Sequence, residues 1–112
     1  MGFEFKKVWG PLIWSFMHTM AYVADLDPTY RRRVLAFFEN MVLPCSICQS
    51  HYTKELPVQL TNTAFPLSWW VYKLHRKVSK RVKGSKYIPP PFKRGLRKAH
   101  DTVFRDELRR GL

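Results

Sequence analysis

The sequence predicts an all-α fold: a four-helix bundle with an additional C-terminal helical element. Glycine is scarce, five in 112 residues, and so is the β-branched alternation that marks a half-buried strand. Apolar residues instead recur at intervals of three and four, the spacing that lines one face of a helix. Prolines and short polar turns cut this pattern into five segments. With 46% hydrophobic and 15% aromatic residues the chain can build a core, which argues against disorder. Its length suits one such core. The expected organisation is a bundle over residues 1–86 and a basic, proline-led helical tail over residues 87–112.

The first helix is expected from Gly10 to Ala24, with Pro11 in its first turn, where the missing N–H would be unsatisfied anyway. Gly10, Trp14, His18 and Tyr22 recur every four residues and form one slowly drifting ridge along it. Asp27-Pro28 supplies an N-cap and a first-turn proline for the second helix. That helix runs to about Met41 and buries Val34, Leu35, Phe37, Phe38 and Met41. A third helix starts near Pro44 or Cys45 and ends by Leu56, because Pro57 cannot continue it. Residues 57–66 begin and end with proline and hold Thr61, Asn62 and Thr63, so they read as a connecting loop. The fourth helix, about Pro66 to Lys83, carries Leu67, Val71, Leu74, Val78 and Val82 as a buried stripe and stops at Gly84. Pro89-Pro90-Pro91 is a stiff spacer before an amphipathic helix from Phe92 to Arg110, with Leu96, Ala99, Val103 and Leu108 facing inward. Short connections make the first four helices antiparallel neighbours.

Charge is distributed unevenly. Residues 1–72 carry six Lys/Arg and five Asp/Glu, whereas residues 73–112 carry fourteen and three, so nearly all of the +12 net charge lies beyond residue 72. Such a tail attracts anions, whether a phosphate-bearing cofactor, nucleic acid or an acidic membrane surface; a solvated helix face accounts for it equally well. Lys6-Lys7 and the apolar stretch to Ala24 resemble a signal peptide, but Pro11 and His18 interrupt it. No stretch approaches the ~20 apolar residues of a membrane span. Lys6 stands where the myristoylation pattern after Met1-Gly2 wants Ser or Thr. The expectation is a soluble protein without a targeting segment.

Cys45-Ser46-Ile47-Cys48 contains the only two cysteines, and it follows Pro44 at the expected start of the third helix. Two intervening residues bring the sulfurs within bonding range, and a helix N-terminus presents N–H groups and a positive dipole end that favour thiolate. A loop this small constrains little unfolded-state entropy, so a structural staple is a poor use of the pair. Redox work and metal binding remain. Zinc could be drawn on Cys45, Cys48, His51 and either His18 or His75. Those ligands would have to converge from separate helices, and no second C-x-x-C or paired histidine motif accompanies them. Thioredoxin-type chemistry needs strands around the motif, and these are lacking. No other side chain in a helical bundle of this composition can readily accept two electrons, so turnover of the pair implies a cofactor.

Trp14 and His18 lie one turn apart, as do Trp70, Leu74 and His75. Near a reactive cysteine pair they could form an aromatic slot for a planar ring system; taken singly, each is explained by core packing. Arg76, Lys77, Lys80, Arg81 and Lys83 could neutralise a pyrophosphate, or form the solvated face of the fourth helix.

Three motifs in register carry a resemblance: Trp9-Gly10-x-x-x-Trp14-x-x-x-His18-Thr19-x-Ala21, Pro44-Cys45-x-x-Cys48-x-x-His51, and Trp70-x-x-x-Leu74-His75-x-x-Val78. Over about residues 9–83 they resemble the Erv/ALR family of FAD-linked sulfhydryl oxidases. The resemblance implies a helical bundle, usually a homodimer, that holds FAD non-covalently and passes electrons to dioxygen, giving hydrogen peroxide. By the same resemblance Cys48 lies against the flavin and Cys45 exchanges with substrate. Gly10, Trp14, His18 and Tyr22 line the FAD site from the first helix, His51 from the third, and Trp70, His75 and Val78 from the fourth. The chain departs from the family at His75-Arg76-Lys77-Val78-Ser79, where Arg76 and Ser79 replace the usual asparagines. Arg76 offers phosphate a donor fork and Lys83 a point charge. The chain also lacks the second, shuttle cysteine pair of many relatives, so the expected partner is a separate dithiol protein. Its compactness resembles the versions encoded by large DNA viruses, which implies the cytoplasm of an infected cell, and the virion, as locations.

Overall fold

The computed structural model describes residues 5–56, 66–84 and 86–109, and every regular element among them is an α-helix. The helices are α1 (Phe5–Leu26), α2 (Pro28–Asn40), α3 (Ser46–Glu55), α4 (Leu67–Lys83) and α5 (Phe92–Arg109). The all-α expectation therefore holds, with five helices in the expected order. Of the expected loop over residues 57–66 only Pro66, the N-cap of α4, is described; residues 57–65 and the orientation of Leu108 lie outside the described residues.

α1 is the hub of the packing, in contact with α2, α4 and α5. It begins at Phe5 rather than Gly10, so Pro11 sits inside the helix instead of in its first turn. Pro11 is exposed, and there its missing donor costs one local hydrogen bond without ending the helix. Met17, Ala21 and Ala24 form the buried side of α1; they meet Val34, Leu35 and Phe38 of α2, Tyr52 of α3, and Leu67, Trp70, Val71 and Leu74 of α4. α2 starts as the sequence implies, with Asp27 accepting from the Thr29 N–H at 3.0 Å and Pro28 in the first turn.

Two residues expected inside are not. Phe37 is 50% exposed and Val82 77% exposed. Phe37 lies one residue, about 100°, around the helix from fully buried Phe38, and it flanks the core against Phe16 of α1. Val82 closes a stripe that has drifted about 60° from Leu67, enough to leave the covered face.

α1 and α4 run antiparallel. Asp25, near the end of α1, accepts hydrogen bonds from the Leu67 N–H at 2.7 Å and the Ser68 N–H at 3.1 Å, and from the Ser68 hydroxyl. Seven residues earlier, His18 meets His75. Asp25 thus supplies from α1 the N-terminal cap that Pro66 cannot give.

The basic tail packs onto the bundle. Tyr72 Oη donates to the Pro90 carbonyl at 2.9 Å, and the Trp69, Tyr72 and Phe92 rings gather with centroids 5.0–5.5 Å apart. Ala99 of α5 is buried, and α5 lies against both α1 and α4. Among the described residues no helix is long and apolar enough to cross a membrane.

Candidate redox site

Cys45 is the N-cap of α3. Its backbone is extended, and its Sγ accepts from the Cys48 N–H at 3.3 Å. The two sulfurs are 2.6 Å apart and both half-buried, close enough for a disulfide to form between them. A sulfur at this place meets the unpaired N–H groups and positive end of the helix, which favour thiolate. Ile47, between the cysteines, is well exposed, as is Val42 before them.

Tyr52 is buried, with its hydroxyl donating to the Phe38 carbonyl and its ring edge-on to Trp70. Burial, and after it Glu39, raises the Tyr52 pKa, so the hydroxyl stays a donor. Two polar pairs join α3 to α4: Lys77 donates to Glu55 at 2.6 Å, and an Arg81 nitrogen lies 2.8 Å from His51 Nδ1. They step by four residues in opposite directions along the two helices.

A second group forms where α1 faces α4. His18 Nε2 lies 3.0 Å from His75 Nδ1, and the Trp14 ring stacks on His75 at 4.1 Å with 11° between planes. Burial lowers the pKa of both imidazoles. Lys98 adds to the effect at His18; at His75 it is His18 and then Lys83 that add, bringing the value down to about 4. Both rings are therefore neutral at pH 7, and each keeps one N–H donor and one acceptor nitrogen.

The remaining expected residues scatter around these two groups. Gly10 is half-buried, and a Cβ placed on it would meet nothing within 4 Å. Tyr22 turns to α5, its ring edge-on to His100. Trp70 does not join Trp14 and His18; it lies in the core, 7% exposed, between Phe38 and Tyr52. Five residues separate it from His75, about 140° around α4, so one helix cannot aim both rings into the same slot. Val78 packs against the core edge, Arg76 is exposed, and the Lys83 ammonium sits 4.6 Å from the Tyr87 ring centroid. Among the described residues no three His, Cys, Asp or Glu side chains gather as a metal-ligand group, and His18 and His75 are engaged with each other.

Sequence reasoning missed two features. Arg81 pairs with His51, a contact across 30 residues with no local signature. Gln49 bonds Met41 and Leu43 ahead of the cysteines, and glutamine in a helix carries no motif.

The Erv1/Alr family model matches residues 11–96, a span that holds the cysteine pair, the three-ring group and the start of α5. The chain belongs to the Erv1/Alr family. Erv1/Alr proteins are in general sulfhydryl oxidases and typically bind FAD. No curated protein and no solved structure matches the chain.

Proposed function

We propose that this protein is an FAD-dependent thiol oxidase that makes disulfides in a partner protein through Cys45 and Cys48. The observation that carries the reading is Cys45 Sγ at the N-cap of α3, 2.6 Å from Cys48 Sγ, in a chain of the Erv1/Alr family. A flavin dinucleotide needs a flat apolar surface, donors and acceptors for its ring edge, and cations for its pyrophosphate. Trp14 stacked on His75 offers the first, the two neutral imidazoles the second, and Arg76 and Lys83 the third. The open space at Gly10 lets a ring approach α1 closely. By their chemistry these residues fit the group; Tyr22, His51, Val78 and Trp70 join the proposed site on the family resemblance, since Tyr22 faces His100, His51 pairs with Arg81, and Val78 and Trp70 pack in or against the core.

In the oxidised protein a substrate thiolate attacks Cys45 Sγ, the Cys45–Cys48 bond breaks, and Cys48 leaves as thiolate. A second substrate thiolate attacks the substrate sulfur of the mixed disulfide. The substrate disulfide forms, Cys45 leaves, and the electron pair stays on the Cys45–Cys48 dithiol. Cys45 is a good leaving group because its thiolate is held at the helix N-terminus. The chemistry that bound FAD brings is acceptance of those two electrons and their passage to dioxygen, giving hydrogen peroxide. Cys48→Ala is expected to abolish dithiol-dependent oxygen uptake with flavin still bound; full activity in that variant overturns the assignment.

Homodimerisation is proposed on an apolar face of α1 and α2. Leu12, Phe16, Tyr30 and Phe37 are between 44% and 67% exposed, and the Phe16 and Phe37 rings meet at 5.3 Å. A second reading rests on the exposed Lys93, Arg94, Arg97, Lys98 and Arg105 of α5, which suit an acidic partner or nucleic acid. Steeply salt-dependent DNA binding by a flavin-free protein favours it. Soluble residence in an infected cell's cytoplasm or a virion is part of the viral form of the proposal.

A further inference from the structure

The cysteine pair is delivered by a short non-helical stretch, Met41 to Cys45, and one side chain ties that stretch to α3. Gln49 Oε1 accepts the Leu43 N–H at 2.6 Å, while Gln49 Nε2 donates to the Met41 carbonyl at 3.2 Å and lies 3.4 Å from Thr53 Oγ1. The Gln49 backbone N–H donates to the Cys45 carbonyl at 2.8 Å. An N–H can only donate and a carbonyl only accept, so the two backbone partners fix which end of the carboxamide is oxygen. One residue therefore grips the chain on both sides of Pro44.

We propose that Gln49 is a positioning residue for the redox pair: its carboxamide clamps Met41–Leu43 so that Cys45 stays seated as the N-cap of α3. The proposal rests on the thiol oxidase reading for its role in turnover. The side-chain type is specific. Glutamate keeps the acceptor for Leu43 but loses the donor for Met41, lysine keeps only a donor, and asparagine falls one methylene short. Without the clamp, the Leu43 N–H and Met41 carbonyl turn to water and the stretch gains backbone freedom. Cys45 Sγ then spends less time against the Cys48 N–H, where its thiolate is favoured.

The test is alkylation of the reduced protein by iodoacetamide, with Cys45 resolved from Cys48 by peptide fragmentation, in the wild type and in Gln49→Met. At pH 7 the variant is expected to react at Cys45 about threefold to tenfold more slowly, and at about pH 10, where both proteins are thiolate, the rates converge. Equal rates at pH 7, or a difference of the same size at both pH values, overturns the proposal and leaves Gln49 a structural residue. Should Gln49→Met fail to fold, amide hydrogen exchange in the wild type decides. The Leu43 N–H, outside any helix, is expected to be protected, and free exchange there overturns the clamp. Neither measurement needs flavin or turnover, so failure of the clamp and failure of the oxidase reading are separately visible.

Discussion

His75 is held neutral well into the acid range, because burial, then His18 and Lys83, bring its pKa from the ordinary 6.5 down to about 4. The unfolded chain therefore takes up this proton first, and stability falls as pH drops from about 6.5 toward 4. His18 shifts in the same direction and adds to the loss. The melting temperature is expected to be lower at pH 5 than at pH 7, and His75→Gln is expected to show a smaller acid drop; an identical drop in both removes His75 as the cause. Gly10→Ala separates fold from ligand. Alanine suits a helix interior better than glycine by about 0.5–1 kcal/mol, and the added Cβ meets no protein atom, so denaturant stability should rise. Affinity for FAD should fall in the same variant, and unchanged FAD binding in titration would count against close approach at Gly10. The ridge of Gly10, Trp14, His18 and Tyr22 is legible from its four-residue spacing alone. Its meeting with His75 leaves no trace in local periodicity, being a contact across 57 residues; the residue types suggest a shared aromatic slot, and the family motifs point to the same group.

At the scale of elements, α4 depends on a cap borrowed from α1. Asp25→Ala removes the acceptor for Leu67 and Ser68 and takes a carboxylate from 3.9 Å beside buried Arg31. A loss of about 2 kcal/mol in unfolding free energy is expected, and Asp25→Asn, which keeps one acceptor oxygen, should lose less. Equal stability in Asp25→Ala would show that the α4 terminus is satisfied in another way. Helix ends were readable where a cap is local, as at Asp27-Pro28, Pro44-Cys45 and Gly84. α1 starts at Phe5, before the point that Pro11 marks in the sequence, because the first-turn preference of proline is a tendency and this helix accommodates it inside. Phe37 and Val82 are exposed for another reason: periodicity identifies an apolar face, but only the neighbouring helix decides how far that face is covered.

For the molecule as a whole, the composition made an all-α bundle evident, while the seat of α5 on α1 and α4 depends on Tyr72, Trp69 and Phe92 meeting across the proline spacer. The exposed face around Phe16 and Phe37 bears on assembly. Phe16→Glu is expected to convert dimer to monomer in light scattering at unchanged helix content, and a wild type that is monomeric at high concentration removes the dimer. The central claim, a dithiol coupled to a flavin, is tested most directly by adding a dithiol anaerobically to the FAD-loaded protein and following its visible absorbance. The flavin colour is expected to bleach in the wild type and to persist in Cys48→Ala with the same flavin content. A protein that takes up no FAD, or equal bleaching in both, contradicts the account.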